Sequence, residues 1–278
     1  MLEVFFAAME DLDGRRGRAL QARNAAPLEM HFGHLLTTDP ERCYVADDRG
    51  RVVAFGIVMR RGRDAFLSFL FVAPPWQSRR LGRAVLDSCL RAAGDVERIS
   101  TCAEADQPVS TGLYASIGMA PRVPLYLLRG VLSEAALPDL PPGIQRRPID
   151  LQAVAAVDRE LLGYERPQDH RFWARERQGV LFLDDAGVAI GYGYAQPSGR
   201  VGPVAALAPS DLPAFVGYLA RITPVLEGRQ LVVPGHAIGA LRALLAAGLR
   251  IDTAPAIYCS QGPGPRFDRY VPMSYALL

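Results

Sequence analysis

Lysine is absent from this sequence and asparagine occurs once, at Asn24, so all 31 basic residues are arginine. Without lysine there is no Schiff-base amine and no Walker-type phosphate loop. The same bias points to a GC-rich bacterial genome. Cysteine is sparse. Cys43, Cys89, Cys102 and Cys259 lie far apart with no C-x-x-C pair, a pattern of buried small hydrophobes and not of disulfides or metal ligands. No apolar run approaches the roughly 18 residues of a membrane span. The opening MLEVFFAAMEDLDGRR has no basic n-region followed by a cleavable apolar run, so the expectation is a cytoplasmic protein without membrane contact. The net charge of +2 is too small to argue for nucleic acid. G-x-S-x-G and G-x-G-x-x-G are both missing, which removes support for serine-hydrolase and dinucleotide-binding readings.

What is present supports a folded chain with substantial cores. It is 278 residues long and 50% hydrophobic, enough for two domains of ordinary size. The most informative stretch is Phe66 to Leu90. Phe66 to Val72 is apolar except for Ser68 and reads as a buried strand. Pro74 and Pro75 stop it, since proline cannot donate to a sheet ladder. Gln77, Ser78, Arg79 and Arg80 form a polar loop. Leu81, Val85 and Cys89, with Leu86 and Leu90, then recur at helical spacing.

Charge placement gives this stretch its chemistry. Arg79, Arg80 and Arg83 crowd the start of the helix, where the dipole disfavours cations. The first-turn N–H groups there lack intrahelical partners. An anion would satisfy amides, dipole and arginines together, and Gly82 would let a phosphate approach the backbone. The bland alternative is an exposed arginine-rich loop. Strand, proline stop, basic loop and helix occurring together favour a phosphate site.

Val72-Ala73-Pro74 followed by Gln77-Ser78-Arg79-Arg80-Leu81-Gly82-Arg83-Ala84 resembles motif A of the GNAT superfamily of acyl-CoA-dependent N-acyltransferases. That motif is a strand ending V-x-P, then Q/R-x-x-G-x-G/A opening a helix. The resemblance implies that Phe71, Val72 and Gln77 to Ala84 hold acetyl-CoA, the acyl donor, with its pyrophosphate on the loop amides. Arg80 stands where the motif has its first glycine. Either the loop tolerates a side chain there or Arg80 contacts a phosphate directly.

The flanking chain reads consistently. Residues 3 to 24 look helical up to about Asn24, and the strand that opens a typical GNAT domain is not visible. His31 and His34 share helical spacing but lack a third metal ligand, so no metal is expected. Strands are expected over Cys43–Ala46 and Val52–Met59 around an Asp47-Asp48-Arg49-Gly50 turn, over Arg98–Cys102 and over Arg122–Leu128. A helix from Pro108 to Ile117 is expected to end at Gly118. Together they give a mixed α/β unit. Tyr114 lies four residues before Gly118, where GNAT enzymes commonly carry a tyrosine that protonates the departing thiolate; a packed core ring is the alternative. Glu104, Asp106, His31 and His34 are candidates for the base that neutralises the amine, and a water chain could serve instead.

Residues 130 to 143 carry Pro138, Pro141, Pro142 and Gly143 and read as a linker. Beyond it, Ile144–Pro148 and a helix capped by Asp150 begin a second unit. LDDAGVAIGYGYA at 183 to 195 parallels ADDRGRVVAFGIV at 46 to 58. Gly202–Ala208, a helix from Leu212, Gln230–Val233, a helix ending at Gly248 and Ala256–Cys259 repeat the remaining order. The expected architecture is therefore two tandem GNAT-like folds in an α/β chain, residues 1–132 and 143–278. The second copy lacks the arginine run: Pro209 is followed by Ser210 and Asp211, and Leu244 stands where Tyr114 does. Tyr164, His170, Trp173, Tyr192, Tyr194 and Tyr258 are expected to be core more than acceptor groove. The function implied is transfer of an acetyl group to a small-molecule amine. A non-catalytic acyl-CoA-binding or interaction protein and a tandem transferase of the mycothiol-synthase kind are the alternatives.

Overall fold

The computed structural model describes residues 1–18, 23–222 and 228–278. The chain forms two compact units, Met1–Thr101 and Cys102–Leu278. The first holds α1 (Leu2–Arg15), α2 (Ala26–Thr38), β1 (Cys43–Asp48), β2 (Arg51–Arg61), β3 (Asp64–Val72), α3 (Leu81–Ala93) and the opening of β4 (Arg98–Glu104). Strands β1, β2 and β3 are antiparallel neighbours, and β4 joins β3 in parallel after the α3 crossover. The β1–β2 turn works because Arg49 and Gly50 both take positive φ, +52° and +84°, and Asp47 accepts the Gly50 N–H at 2.9 Å.

Each face of this sheet has its own cover. On one, Phe32 of α2 meets Phe55 and Phe69 at ring distances of 5.5 and 4.9 Å, and Phe5 of α1 meets Phe71 at 4.8 Å. On the other, α3 lies so close that a Cβ on Gly56 would sit 2.7 Å from Cys89 Sγ and 2.9 Å from Val85. Asp39 ties α2 to the sheet. Its buried carboxylate accepts the Arg60 N–H at 2.9 Å and Arg61 Nη1 at 2.8 Å. The first helix ends at Arg15 and not near Asn24, because Gly17 turns the backbone to φ +65° and donates to Gly14 O. Residues 19–22 of that expected helix lie outside the described residues.

The second unit takes the end of β4, then α4 (Pro108–Ala115), β5 (Ala120–Gly130), β6 (Gln145–Arg147), α5 (Leu151–Leu162), α6 (Pro167–Trp173), β7 (Gln178–Leu183), β8 (Ala189–Ala195) and β9 (Val201–Ala206). It continues with α7 (Leu212–Ile222), β10 (Arg229–Pro234), α8 (Ile238–Ala246), β11 (Arg250–Ile251), β12 (Ala256–Ser260) and β13 (Tyr270–Val271). Asp150 caps α5, its carboxylate accepting the Ala153 N–H at 2.8 Å. Strands β6 to β9 and β13 form one sheet in the order β13-β9-β8-β7-β6. Strand β5 pairs with β10, β11 and β12.

The repeat is visible in detail. From β6 onward the element order repeats that from α1 to β5, with an added opening strand and with three short strands, β11, β12 and β13, after α8 where the first run has β5 alone. Both Asp-Asp turns close alike: Gly187 has φ +78° and Asp184 accepts the Val188 N–H at 2.8 Å. Helices α4 and α8 end with the same bonds. Gly118 N–H donates to Ala115 O and Met119 N–H to Tyr114 O, just as Gly248 donates to Leu245 and Leu249 to Leu244. Tyr114 and Leu244 are thus equivalent by hydrogen bonding as well as by spacing.

One strand departs from the simple repeat. The strand expected over Ala256–Cys259, the last element of the repeat, runs on to Ser260 as β12. It stands antiparallel to β5, the last strand of the first copy, and lies between it and β4. Helix α6 and strands β7, β11 and β13 carry no clear pattern of their own and are additions to the sequence reading.

Candidate active site

The end of β3 is where chemistry can enter the first unit. Strand β3 keeps β2 beside it from Asp64 to Val72. Within this unit its parallel partner β4 runs beside Asp64–Leu67, opposite Arg98–Thr101. A bulge interrupts the pairing with β2: Ile57 stands opposite Phe69 and Val58 opposite Leu67, leaving Ser68 as the extra residue. Ser68 Oγ is buried without a hydrogen-bond partner.

A structured loop follows. Pro74–Trp76 make a 3-10 turn, and Gln77 Nε2 donates back to Val72 O at 3.1 Å, holding the loop against the strand end. Ser78 and Arg80 both take left-handed conformations, φ +61° and +62°. Such positions cost of order 1–3 kcal/mol for residues with a side chain and gather at functional loops. Arg80, left-handed, is followed directly by Leu81 in the first right-handed turn of α3. That succession turns consecutive N–H groups toward one point and makes an anion-binding concavity. No side chain caps α3. Arg79 stacks on Trp76 at 5.1 Å, Arg83 pairs with Asp87 at 2.8 Å, and Arg80 is exposed. Gly82 leaves its side open: an added Cβ meets only Val72 Cγ2, at 3.4 Å. Phe71, Val72, Gln77 to Arg83 and Ala84 are thus brought together as one strand–loop–helix corner, with donors and positive charge suited to a pyrophosphate.

Of the remaining candidates, Glu104, Asp106 and Tyr114 belong to the second unit and His31 and His34 to the first. Glu104 ends β4 and is half-buried, Asp106 is exposed in the turn that follows, and Tyr114 is buried in the last turn of α4. His31 and His34 lie on α2. In the second copy, the corner after β9 runs Leu207 to Asp211 without an arginine, and Ser210 Oγ donates to the Asp211 carboxylate at 3.3 Å.

A second polar cluster was visible in sequence only as aromatic residues. Asp158, Arg166, His170, Trp173, Tyr192 and Tyr194 are all buried to 1% exposure or less. Arg166 donates to Asp158 through Nε at 3.1 Å, to the Tyr192 hydroxyl at 2.7 Å and to Leu278 O. Tyr192 donates to Asp158. Burial works against ionising Asp158, but Arg166, His170 and Tyr192 outweigh it and hold its pKa below the ordinary range. Burial also holds His170 below its ordinary 6.5. His170 Nε2 is 2.8 Å from Asp158 and Nδ1 2.9 Å from the Tyr194 hydroxyl. An ionised carboxylate only accepts, so a neutral His170 carries its proton on Nε2 and accepts from Tyr194 at Nδ1. The spacing of Asp158, Arg166 and His170 over two helices gave no sign of this assembly. Tyr258 packs elsewhere, against Phe267 at 5.0 Å.

Residues 7–119 match the family model described as the acetyltransferase (GNAT) family. This stretch is similar to a GNAT acetyltransferase domain. The GNAT fold extends over the whole chain: a structure from Pyrococcus horikoshii, solved as a candidate acetyltransferase, superposes with a TM-score of 0.78 at 16% identity, covering 100% of this chain and 91% of that one. A GCN5-related N-acetyltransferase from Sphaerobacter thermophilus gives 0.60 at 16% identity, covering 96% and 94%. A tandem GNAT protein from the clavulanic acid biosynthesis pathway gives 0.53 at 17% identity, covering 95% of each. At such identities the likeness speaks for the fold alone. No curated protein matches the sequence. Among the described residues no helix is long and apolar enough to cross a membrane.

Proposed function

We propose that this protein is an N-acetyltransferase that moves an acetyl group from acetyl-CoA to a small-molecule amine, with donor binding in a copy spanning residues 1–132 and a second copy, 143–278, that binds no donor. The observation that carries this reading is the corner after β3, where an uncapped helix start, a left-handed Arg80 and three arginines come together. A pyrophosphate suits this loop, whose amides and arginines offer donors and positive charge together.

The reaction needs two proton transfers. The amine must shed a proton so that its lone pair can attack the thioester carbonyl; in this reading Glu104 accepts it, with Asp106 the more exposed alternative. The C–N bond forms, the C–S bond breaks, and the leaving thiolate takes a proton from the Tyr114 hydroxyl. Tyr114→Phe removes only that hydroxyl. It is expected to leave acetyl-CoA affinity nearly unchanged while turnover falls by roughly 100- to 10,000-fold. Release of CoA thiol against an amine panel tests the function. No thiol release with any amine, from a protein that binds acetyl-CoA, would leave a donor-binding protein and no enzyme.

A further inference from the structure

Three neighbouring strands of the second unit turn one face to the core. Leu128 of β5, Val201 of β9 and Leu231 of β10 belong to a single buried cluster. Successive strand residues alternate sides, so their chain neighbours Arg129, Arg200 and Gln230 stand on the opposite face. Register sets these three level. Gln230 of β10 is paired with Arg129 of β5, and Arg200 with Gln230 in a parallel bridge. On its other side Arg129 is paired with Arg250 of β11, which shares its face. One row therefore runs Arg200, Gln230, Arg129, Arg250, with Cβ atoms of the antiparallel pairs about 5 Å apart.

The charges of this row do not balance. Like charges directly opposite one another destabilise a sheet, as Arg129 and Arg250 must. Among the described residues a single carboxylate pairs with the row: Asp252 lies 3.3 Å from Arg129 Nη1, on the Arg250 side. Arg200 is half-buried and forms no ion pair among the described residues. Arg177, also half-buried, reaches the same end of β9, where its Nη1 donates to Gly202 O at 3.0 Å. It too has no carboxylate partner among the described residues. Burial lowers the Arg200 pKa and the Arg129 charge lowers it further, with Tyr275 opposing. Burial, then the Arg200 charge, brings the Arg177 pKa down to about 9, with Glu176 opposing. Taking a cation out of water without a counterion is costly, and repulsion between neighbours adds to the cost. A bound oxyanion offsets both. The planar guanidinium fork matches the two oxygens of a carboxylate or a phosphoryl group, and the Gln230 amide adds a neutral donor beside it.

We propose that Arg129, Gln230 and Arg200 form a binding site for the oxyanion of a small acidic molecule, a carboxylate or phosphoryl group, with Arg177 and Arg250 flanking it. Asp252 neutralises part of the row at its Arg250 end and leaves the Arg200 end to the ligand. The site shares no residue with the donor corner and does not depend on the reading of that corner.

The test is a titration of the intact protein, labelled with ¹⁵N at arginine, with inorganic phosphate and with succinate at constant ionic strength. The side-chain Nε–H signals of Arg129 and Arg200 are the ones lost in Arg129→Gln and Arg200→Gln. They are expected to shift together and saturably with at least one probe. A response to phosphate alone assigns a phosphoryl ligand, to succinate alone a carboxylate, and to both a site that reads the shared oxyanion. In folded Arg200→Gln the Kd read at Arg129 should rise about 10- to 150-fold, the scale of one charge-assisted hydrogen bond. Arg129→Gln, at a more exposed side chain, gives the reciprocal measurement at Arg200. No saturable shift at Arg129 and Arg200 with either probe overturns the inference. So does a shift shared alike by all exposed arginines, or a Kd unchanged in the folded variants. The titration needs no turnover, so failure to bind acetyl-CoA would sink the proposed function and leave this result standing.

Discussion

Arg80 occupies the position where the backbone most wants glycine. Its φ of +62° places it in the left-handed region, and its side chain is solvent-exposed. An exposed arginine held at that cost is best explained by a phosphate contact. Arg80→Gly should therefore raise stability by about 1 kcal/mol in thermal unfolding, since the strain disappears, and weaken acetyl-CoA binding at the same time. A variant that gains stability with no loss of affinity would show that the side chain contributes nothing to the donor. His170 supports a second expectation. Burial holds its pKa below 6.5, and Asp158 is likewise held below its ordinary range. Below about pH 6.5 the unfolded chain takes up a proton at this histidine that the folded chain resists, so stability is full above that pH and falls as pH drops. Denaturant midpoints at pH 7 and pH 5 check the sign: the acid midpoint should be lower, and an equal or higher one contradicts a neutral, buried His170.

At the scale of elements, the strand–loop–helix corner was legible because each part carries a local signal: aromatic alternation in β3, the Pro74-Pro75 stop, and helical spacing from Leu81. The left-handed turns at Ser78 and Arg80 were not, because no glycine marks them. The helix expected to reach Asn24 stops at Arg15; Gly14 and Gly17 were the available signs. The place of β12 was illegible for a deeper reason. A short apolar run such as Ala256–Cys259 shows that a strand exists, while its partner is chosen by the rest of the fold. Asp158 and Arg166, the partners of His170, were hidden likewise, since helix periodicity says nothing of which buried polar groups will meet. The position of β12 has a consequence. A fragment of residues 1–132 would leave β5 without β10, β11 and β12. Such a fragment should fail to give dispersed amide NMR signals, whereas a sharp, folded spectrum would mean that β5 closes the first copy unaided.

Over the whole molecule, the two copies share a fold and differ in chemistry. The repeat survives in the Asp-Asp turns and in the matching ends of α4 and α8, yet the arginines, the left-handed corner and the tyrosine are confined to the first copy. The second copy has a buried ionic network instead, in which Arg166 holds Asp158 and the Leu278 carbonyl. The most direct test of this account is calorimetric titration of the intact chain with acetyl-CoA, in wild type and in Gly82→Glu. Little stands near Gly82 to obstruct folding, so the variant's added charge should act on the donor alone. The account predicts one site per chain, weakened by about 10- to 150-fold in the folded variant, the scale of one charge-assisted contact. Two equivalent sites per chain, or an unchanged affinity in folded Gly82→Glu, would contradict it.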